Sequence, residues 1–323
     1  MTGGNARGSY SLDLQRVRTA ANQVMVSPYG VLLNGQNNKT NGSNYETIIN
    51  GLTNFVNCPY GTILNGTNNT VNFGTANTII NGSGNTVTGN YSIASGINCS
   101  SSQYSVALGF QNTASGSYSF VIGDSNAASG NNSVCFGFQN TASGLSSMIS
   151  GYRGTAYLQS QTTIGNTPQS WGAPYYGLSQ ASNLVSCKLA TLTTAQTSSL
   201  SLDGTGTTNL IIPNGNNRAW NVTIDTIAVV TAITGTATGV SVGHCYSETK
   251  QLLFKRIGGT SSIVGTVDTS AIKSDSGMST ASITISAGAS QQMALTFTAP
   301  TFAGGGSVTC RVVSKVSLVE CAY

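Results

Sequence analysis

Acid–base chemistry in this chain would fall to one histidine, His244, and nine carboxylates: Asp13, Glu46, Asp124, Asp203, Asp225, Glu248, Asp268, Asp275 and Glu320. General acid and base catalysis needs titratable groups held within reach of one another, and these stand singly along the chain. A polysaccharide-cleaving site would need two carboxylates facing each other across a sugar. Distant residues can converge in a fold, but nothing around these acids resembles a catalytic pattern, so they read as solvated turn and surface groups. No phosphate loop with GK[ST], no HExxH helix and no GxSxG elbow occurs. The expectation is a protein that is not an enzyme and has no catalytic residue.

The soft ligands point the same way. Seven cysteines, at 58, 99, 135, 187, 245, 310 and 321, are an odd number with no CxxC spacing. A disulfide framework or structural zinc site shows paired usage, so small buried thiols are the better reading. His244 beside Cys245 lacks a partner motif for a metal. No cofactor and no metal are expected.

With 13 basic and 9 acidic residues the net charge is +4, thinly spread, without a run of Lys or Arg. Nucleic-acid binding wants a clustered basic face, so no nucleic-acid partner is expected. No segment is long enough for a membrane helix, and the polar start MTGGNARGSYS has no hydrophobic signal core, which reads as a protein finished in the cytosol and not inserted in a membrane. Only 7% of residues are charged, 39 are glycine and 39% are hydrophobic. Disorder goes with depleted aliphatics and high net charge; β-branched side chains amid Gly, Asn, Ser and Thr suit strands and turns instead.

The elements that carry these residues are periodic. Gly35, Gly51, Gly66, Gly82, Gly96, Gly109, Gly123, Gly137, Gly151 and Gly165 differ successively by 16, 15, 16, 14, 13, 14, 14, 14 and 14. A short apolar strand precedes most of them, as in Thr47-Ile48-Ile49 or Phe120-Val121-Ile122, and three positions later most coils carry an asparagine: Asn38, Asn54, Asn69, Asn85, Asn112, Asn126, Asn140. Gly and Asn tolerate left-handed turns, so each repeat reads as strand, turn, strand, turn, with the Asn side chains stacked as amide ladders. A second glycine, at Gly116, Gly130 and Gly144, falls seven residues after the first. Segment Gly8–Gln15 aligns with Gly116–Gly123, which makes the N-terminus an irregular first coil.

Coils stacked at about 4.8 Å make about ten of them a rod of roughly 50 Å. In Phe120-Val121-Ile122 both pleat faces are apolar, and successive side chains point to opposite faces. A lone two-strand coil would leave one of those faces in water, so association with further copies is expected.

The stretch Ser105-Val106-Ala107-Leu108-Gly109-Phe110-Gln111-Asn112-Thr113-Ala114-Ser115-Gly116, continuing to Gly123, resembles the head repeats of YadA-like trimeric autotransporter adhesins. The resemblance is good from about 91 to 166 and looser from 8 to 90. It implies a left-handed parallel β-roll and a homotrimer. The opening Ala6–Gln15 is also similar to predicted fibre proteins of tailed phages and large DNA viruses, and the lack of a secretion signal, heptad stalk and barrel anchor favours that context over a bacterial surface adhesin.

Residues 167–183 break the period with Pro168, Trp171, Pro174, Tyr175 and Tyr176. They read as a neck whose aromatics either stack on a sugar or, as is favoured, pack the end of the roll. From 184 the pattern becomes longer alternation, Trp220, Val222 and Ile224 against Asn221, Thr223 and Asp225, then Met293, Leu295 and Phe297, then Val308, Cys310 and Val312. This reads as an antiparallel β-sandwich of eight to ten strands, with a weaker likeness to the terminal domains of phage fibres.

The fold class expected is therefore all-β: a parallel β-roll or β-solenoid shaft over 1–166, a neck over 167–183 and an antiparallel β-sandwich knob over 184–323, assembled as a trimer. The function expected is a virion fibre or spike at the virion surface, assembled in the host cytoplasm, that attaches to a host receptor or glycan. A tailspike-type depolymerase is the enzymatic alternative. Gly109, Gly116, Gly123, Gly130, Gly137, Gly144 and Gly151 are the expected turn glycines, Asn112, Asn126 and Asn140 the ladder. Arg7, Arg16 and Arg18 are expected to dock on other virion proteins, and Trp171, Tyr175 and Tyr176 are the glycan-stacking candidates.

Overall fold

Short segments rich in Thr, Val and Ile, punctuated by glycine and asparagine, favour a pleated backbone broken at regular corners. The computed structural model of the chain describes residues 7–166, 179–205, 217–287 and 292–322. Apart from one turn of 3-10 helix at Ser276–Met278, the regular structure of these residues is all β. The chain divides into two compact units, Met1–Thr155 and Ala156–Tyr323.

The first unit is a parallel β-solenoid of about ten turns. Each turn gives one strand to each of two sheets, and strands pair only with their counterparts one coil before and after. Register is strict: Val106, Ala107, Leu108 and Gly109 pair with Phe120, Val121, Ile122 and Gly123, and those with Val134, Cys135, Phe136 and Gly137. Because side chains alternate, one residue per short strand faces the interior. In the first sheet these are Leu32, Ile48, Ile63, Ile79, Ala94, Ala107, Val121, Cys135 and Ile149, all fully buried.

The change of period has a structural cause. Asn34, Asn50, Asn65 and Asn81 each stand between the strand and the turn glycine, a position the shorter coils lack; where the two kinds meet, the register shifts between Ala94 and Gly96, so that Ile80 and Asn81 oppose Ser95. That is a β-bulge. The longer coils enclose Ile–Val pairs, Ile48 with Val56, Ile63 with Val71 and Ile79 with Val87. The 14-residue coils enclose Ala107 with Ala114, Val121 with Ala128 and Cys135 with Ala142. Coil length and interior volume thus change together, as close packing requires.

The second unit holds antiparallel sheets. The larger runs in the order Thr162–Asn166, Ser179–Leu192, Ser307–Ala322, Arg218–Thr234, Cys245–Ile257, Thr260–Ser274; the smaller is Thr197–Ser199, Met293–Thr298, Ser282–Ala287. Trp220, Val222 and Ile224 from the first share one core with Ile283, Leu295 and Phe297 from the second. The alternation expected from the sequence is realised: Trp220, Val222 and Ile224 are buried while Asn221 and Asp225 are exposed. Strand Ser307–Ala322 lies between Ser179–Leu192 and Arg218–Thr234 and extends well beyond the 309–313 segment recognisable in the sequence. Strand Ser179–Leu192 begins inside the stretch expected to be a neck.

Candidate functional site

The repeat builds three columns, one at each change of direction and one inside. The first is the turn-glycine column. Gly109, Gly123, Gly137 and Gly151 have φ of +116°, +126°, +107° and +103°, a backbone region that a Cβ strains. Gly116, Gly130 and Gly144 are different: none has a positive φ. Gly116 and Gly130 lack a side chain for want of room, since a Cβ on either would lie 2.1 Å from the carbonyl oxygen of the next coil's glycine.

Inside the turn lies the asparagine column. Nδ2 of Asn112, Asn126 and Asn140 donates to the carbonyl oxygen of Gly123, Gly137 and Gly151, each at 2.7 Å. Oδ1 of Asn112 accepts from the Asn126 amide and Oδ1 of Asn126 from the Asn140 amide, both at 2.9 Å. These asparagines are buried, and their role is to satisfy backbone groups at a corner that water cannot reach. The left-handed residue of the corner is their predecessor: Gln111, Ser125 and Gln139 have φ of +50°, +57° and +52°. The turn conformation expected of asparagine is thus carried one position earlier. Gln15 begins the column, its Oε1 accepting from Asn38 N at 3.0 Å. Ladders bonded from side chain to side chain run outside, Asn34 to Asn50 to Asn65 to Asn81 at 3.2, 3.0 and 3.1 Å.

The opposite corner carries a column of tyrosines that the sequence reading did not single out. Tyr10, Tyr29, Tyr45 and Tyr60 stack with ring centroids 5.3, 5.2 and 5.1 Å apart, and Tyr91, Tyr104 and Tyr118 stack at 5.7 and 4.8 Å. All seven have φ between +52° and +60°. Their recurrence with the glycine period was the available signal; left-handed tyrosine is uncommon enough that propensity argued against a turn there.

Among the docking candidates, Arg7 Nε and Arg18 Nη1 converge on Asp13 Oδ2 at 3.6 and 3.1 Å. The Asp13 carboxylate is buried and also accepts from Met25 N at 3.2 Å, so these two guanidiniums neutralise an internal charge of the first coil. Arg16 is exposed and lines a groove with Asn34, Gly35, Asn50 and Gly51. Trp171, Tyr175 and Tyr176 lie outside the described residues.

The carboxylates are mostly engaged with donors. Glu248 accepts from Tyr246 Oη and from Ile283 N at 3.1 Å and pairs with Lys250 at 2.5 Å, Glu320 pairs with Arg218 at 2.5 Å, and Asp275 accepts from Cys245 N at 2.7 Å. Burial pushes the Glu46 carboxyl up to about 7, against amide donors led by Cys58 N. Among the described residues no group of three or more His, Cys, Asp or Glu is placed to hold a metal ion. Of the thiols, Cys58, Cys99, Cys135 and Cys310 are buried, as expected; Cys187 is half-buried, and Cys245 and Cys321 are exposed. Cys245 begins one strand of the larger antiparallel sheet and Cys321 stands next to the end of another.

The two outer faces of the solenoid differ. One sheet presents Leu64, Ile80, Leu108, Ile122, Phe136 and Met148 outward; the other presents Thr70, Thr86, Ser100, Thr113, Ala127 and Thr141.

Residues 40–137 match the family described as the grass antifreeze beta roll. The parallel solenoid implied by the YadA-like resemblance is present, and the family matched is a different β-roll. Two solved structures are similar at the level of 9% identity: the tailspike protein of Acinetobacter baumannii phage AM24, with 97% of this chain and 57% of that one covered and a TM-score of 0.24, and the tailspike protein of Acinetobacter phage vB_ApiP_P1, with 91% and 62% covered and a TM-score of 0.23. The chain thus spans about three fifths of the length of either, and likeness of that degree carries no conclusion about function. No curated protein matches the chain.

Proposed function

We propose that the chain is a structural subunit of a trimeric fibre or spike, with residues 1–166 as a rigid self-associating shaft and 184–323 as a terminal knob. Its place would be the surface of a virion, and its work attachment to a host receptor or glycan. The observation that carries this reading is the difference between the two outer faces: Leu64, Ile80, Leu108, Ile122 and Phe136 point outward on one sheet, broken by Ser95, while the other sheet offers hydroxyls at Thr70, Thr86, Ser100, Thr113 and Thr141, broken by Ala127. Apolar side chains grouped on one face are a surface for another protein rather than for solvent, and a face repeated coil after coil makes the same chain a natural partner. The threefold count and the viral context rest on the likeness of Ser105–Gly123 to adhesin heads and of Ala6–Gln15 to viral fibres.

Sedimentation equilibrium of the purified chain tests the assembly and is expected to return three times the 33.0 kDa subunit mass. Labelling of purified particles tests the location. A monomer with this fold intact would remove the fibre reading.

A second reading, a surface that orders water or binds ice, is favoured by the other outer face and by the matched family's description. Thr70, Thr86, Ser100 and Thr113 pair directly across adjacent strands, which sets hydroxyls in a row at about the 4.8 Å strand spacing. Thermal hysteresis of the solution decides it, and its absence leaves that face without a role in ice.

A further inference from the structure

The tyrosine column has one missing rung. Its backbone is continuous: Tyr60 N donates to Asn44 O at 3.0 Å, Ala76 N to Pro59 O at 2.9 Å, Tyr91 N to Thr75 O at 2.8 Å and Tyr104 N to Asn90 O at 2.8 Å. Ala76, with φ of +55°, therefore occupies the tyrosine position of its coil. A methyl group stands where every neighbouring coil from Tyr10 to Tyr118 carries a ring.

The consequence is read in the flanking rings. Tyr29, Tyr45 and Tyr104, stacked on both faces, are 50%, 44% and 36% exposed. Tyr60 and Tyr91, which border Ala76, are 55% and 61% exposed, like Tyr118 at the column's free end with 60%. Each keeps one ring face open toward the other. With rungs repeating at about 5 Å, the two rings stand roughly 10 Å apart between centroids, so a ring seated midway would keep from each wall the spacing of 4.8–5.7 Å that the column's own tyrosines keep from one another. Phe73, from the single extra residue of this coil, is exposed and stacks on neither tyrosine among the ring contacts of the structure, so it does not fill the gap.

We propose that this slot, walled by Tyr60 and Tyr91 over Ala76, is a binding site for a pyranose ring. The walls are apolar faces, and the rim is polar: Thr75 and Asn90 immediately precede Ala76 and Tyr91 and are half-buried at the same corner. A pyranose has the complementary distribution, C–H groups on its two faces and hydroxyls around its perimeter. A wholly apolar ring would desolvate the rim without pairing it, which costs free energy. Aromatic side chains serve such amphipathic contacts because one end is apolar and the other wet. The slot lies on the solenoid and would serve a single chain as well as an assembled one.

The test is saturation-transfer NMR of the full chain with the methyl pyranosides of glucose, galactose and mannose, with p-cresol as an aromatic probe. At least one pyranoside is expected to receive saturation at its ring C–H protons. A76Y, which restores the rung with a residue that neighbouring coils hold at the same φ, should abolish that transfer without lowering the thermal midpoint. Y91S, the residue type that a later coil carries at Ser146, should weaken binding about tenfold by removing one wall, and Y118S should leave it unchanged. Should A76Y fail to fold, the contrast between Y91S and Y118S decides. Absence of binding by all three pyranosides, transfer that survives A76Y, or equal loss in Y91S and Y118S overturns the site. Binding of p-cresol alone would reassign the slot to an aromatic side chain and overturn it as well.

Discussion

A Cβ placed on Gly123 would lie 2.8 Å from Nδ2 of Asn126 and 2.0 Å from the carbonyl oxygen of Gly137, the same oxygen to which Asn126 donates at 2.7 Å. Glycine and asparagine at this spacing are one device: the first leaves the space through which the second reaches the neighbouring coil.

G123A is therefore expected to cost at least roughly 2 kcal/mol, since φ of +126° strains any side chain and the obstructing atom is backbone. G116A should also destabilise, through the 2.1 Å approach to Gly130 O. Thermal melting of both against the parent checks this, and an unshifted midpoint for G123A would contradict the turn described.

N126L keeps apolar volume and removes the bonds. It strands the Asn140 amide and takes the side-chain donor from the Gly137 carbonyl, both partnered by Asn126, at a cost of about 1–3 kcal/mol for the unsatisfied buried amide. Asn81 is exposed, and N81A, which removes one outer ladder bond, should cost under about 0.5 kcal/mol. Denaturant midpoints of the two variants give the comparison.

Glu46 is fully buried, with Ser27 Oγ and Cys58 N as donors. Its folded-state value lies at about 7, above the ordinary 4.5, because burial disfavours the carboxylate. The folded chain thus holds a proton that the unfolded chain releases earlier, and stability should fall as pH rises from about 4.5 to about 7 and change no further above that through this group. The drop is on the order of 3 kcal/mol at most. E46Q should flatten that part of the profile; an unchanged slope in E46Q would assign the dependence elsewhere.

Thiol reactivity should follow burial. Burial pushes Cys135 up to about 12 and Cys310 up to about 11, and a protonated, covered thiol is a poor nucleophile. Alkylation of the native protein followed by mass spectrometry is expected to modify Cys245 and Cys321 first, and Cys58, Cys99, Cys135 and Cys310 only on unfolding. Early modification of Cys135 would place it outside the core.

Val121 and Ile122 are adjacent in sequence and face opposite ways, Val121 into the solenoid and Ile122 outward. V121K should abolish the β-rich circular dichroism spectrum, because an unpaired charge has no partner inside the coil. I122K should keep the spectrum and lower the sedimenting mass. A variant I122K that still sediments with the parent would move the association surface to another face.

The period, the parallel coils and the alternation of the later strands were legible in the residues. In a solenoid each coil contacts only its neighbours, so the constraint repeats at short range and writes itself into the sequence as Gly109, Gly123, Gly137 and Asn112, Asn126, Asn140. What those residues do there was less legible. Asn112 was recognisable as part of a corner, but that Gln111 takes the left-handed conformation, while Asn112 turns inward, depends on which atoms of the next coil lack partners.

By itself, then, the order of residues determined a β-solenoid followed by antiparallel strands, because periodic apolar residues and Cβ-free turns are local requirements. Only the tertiary structure decided that Arg7 and Arg18 are committed to Asp13, that Glu46 is enclosed, that Asn81 is a bulge and that Ala76 opens a slot between Tyr60 and Tyr91. Each depends on what one coil sets against another, and stacking brings together atoms that the chain keeps a full turn or more apart.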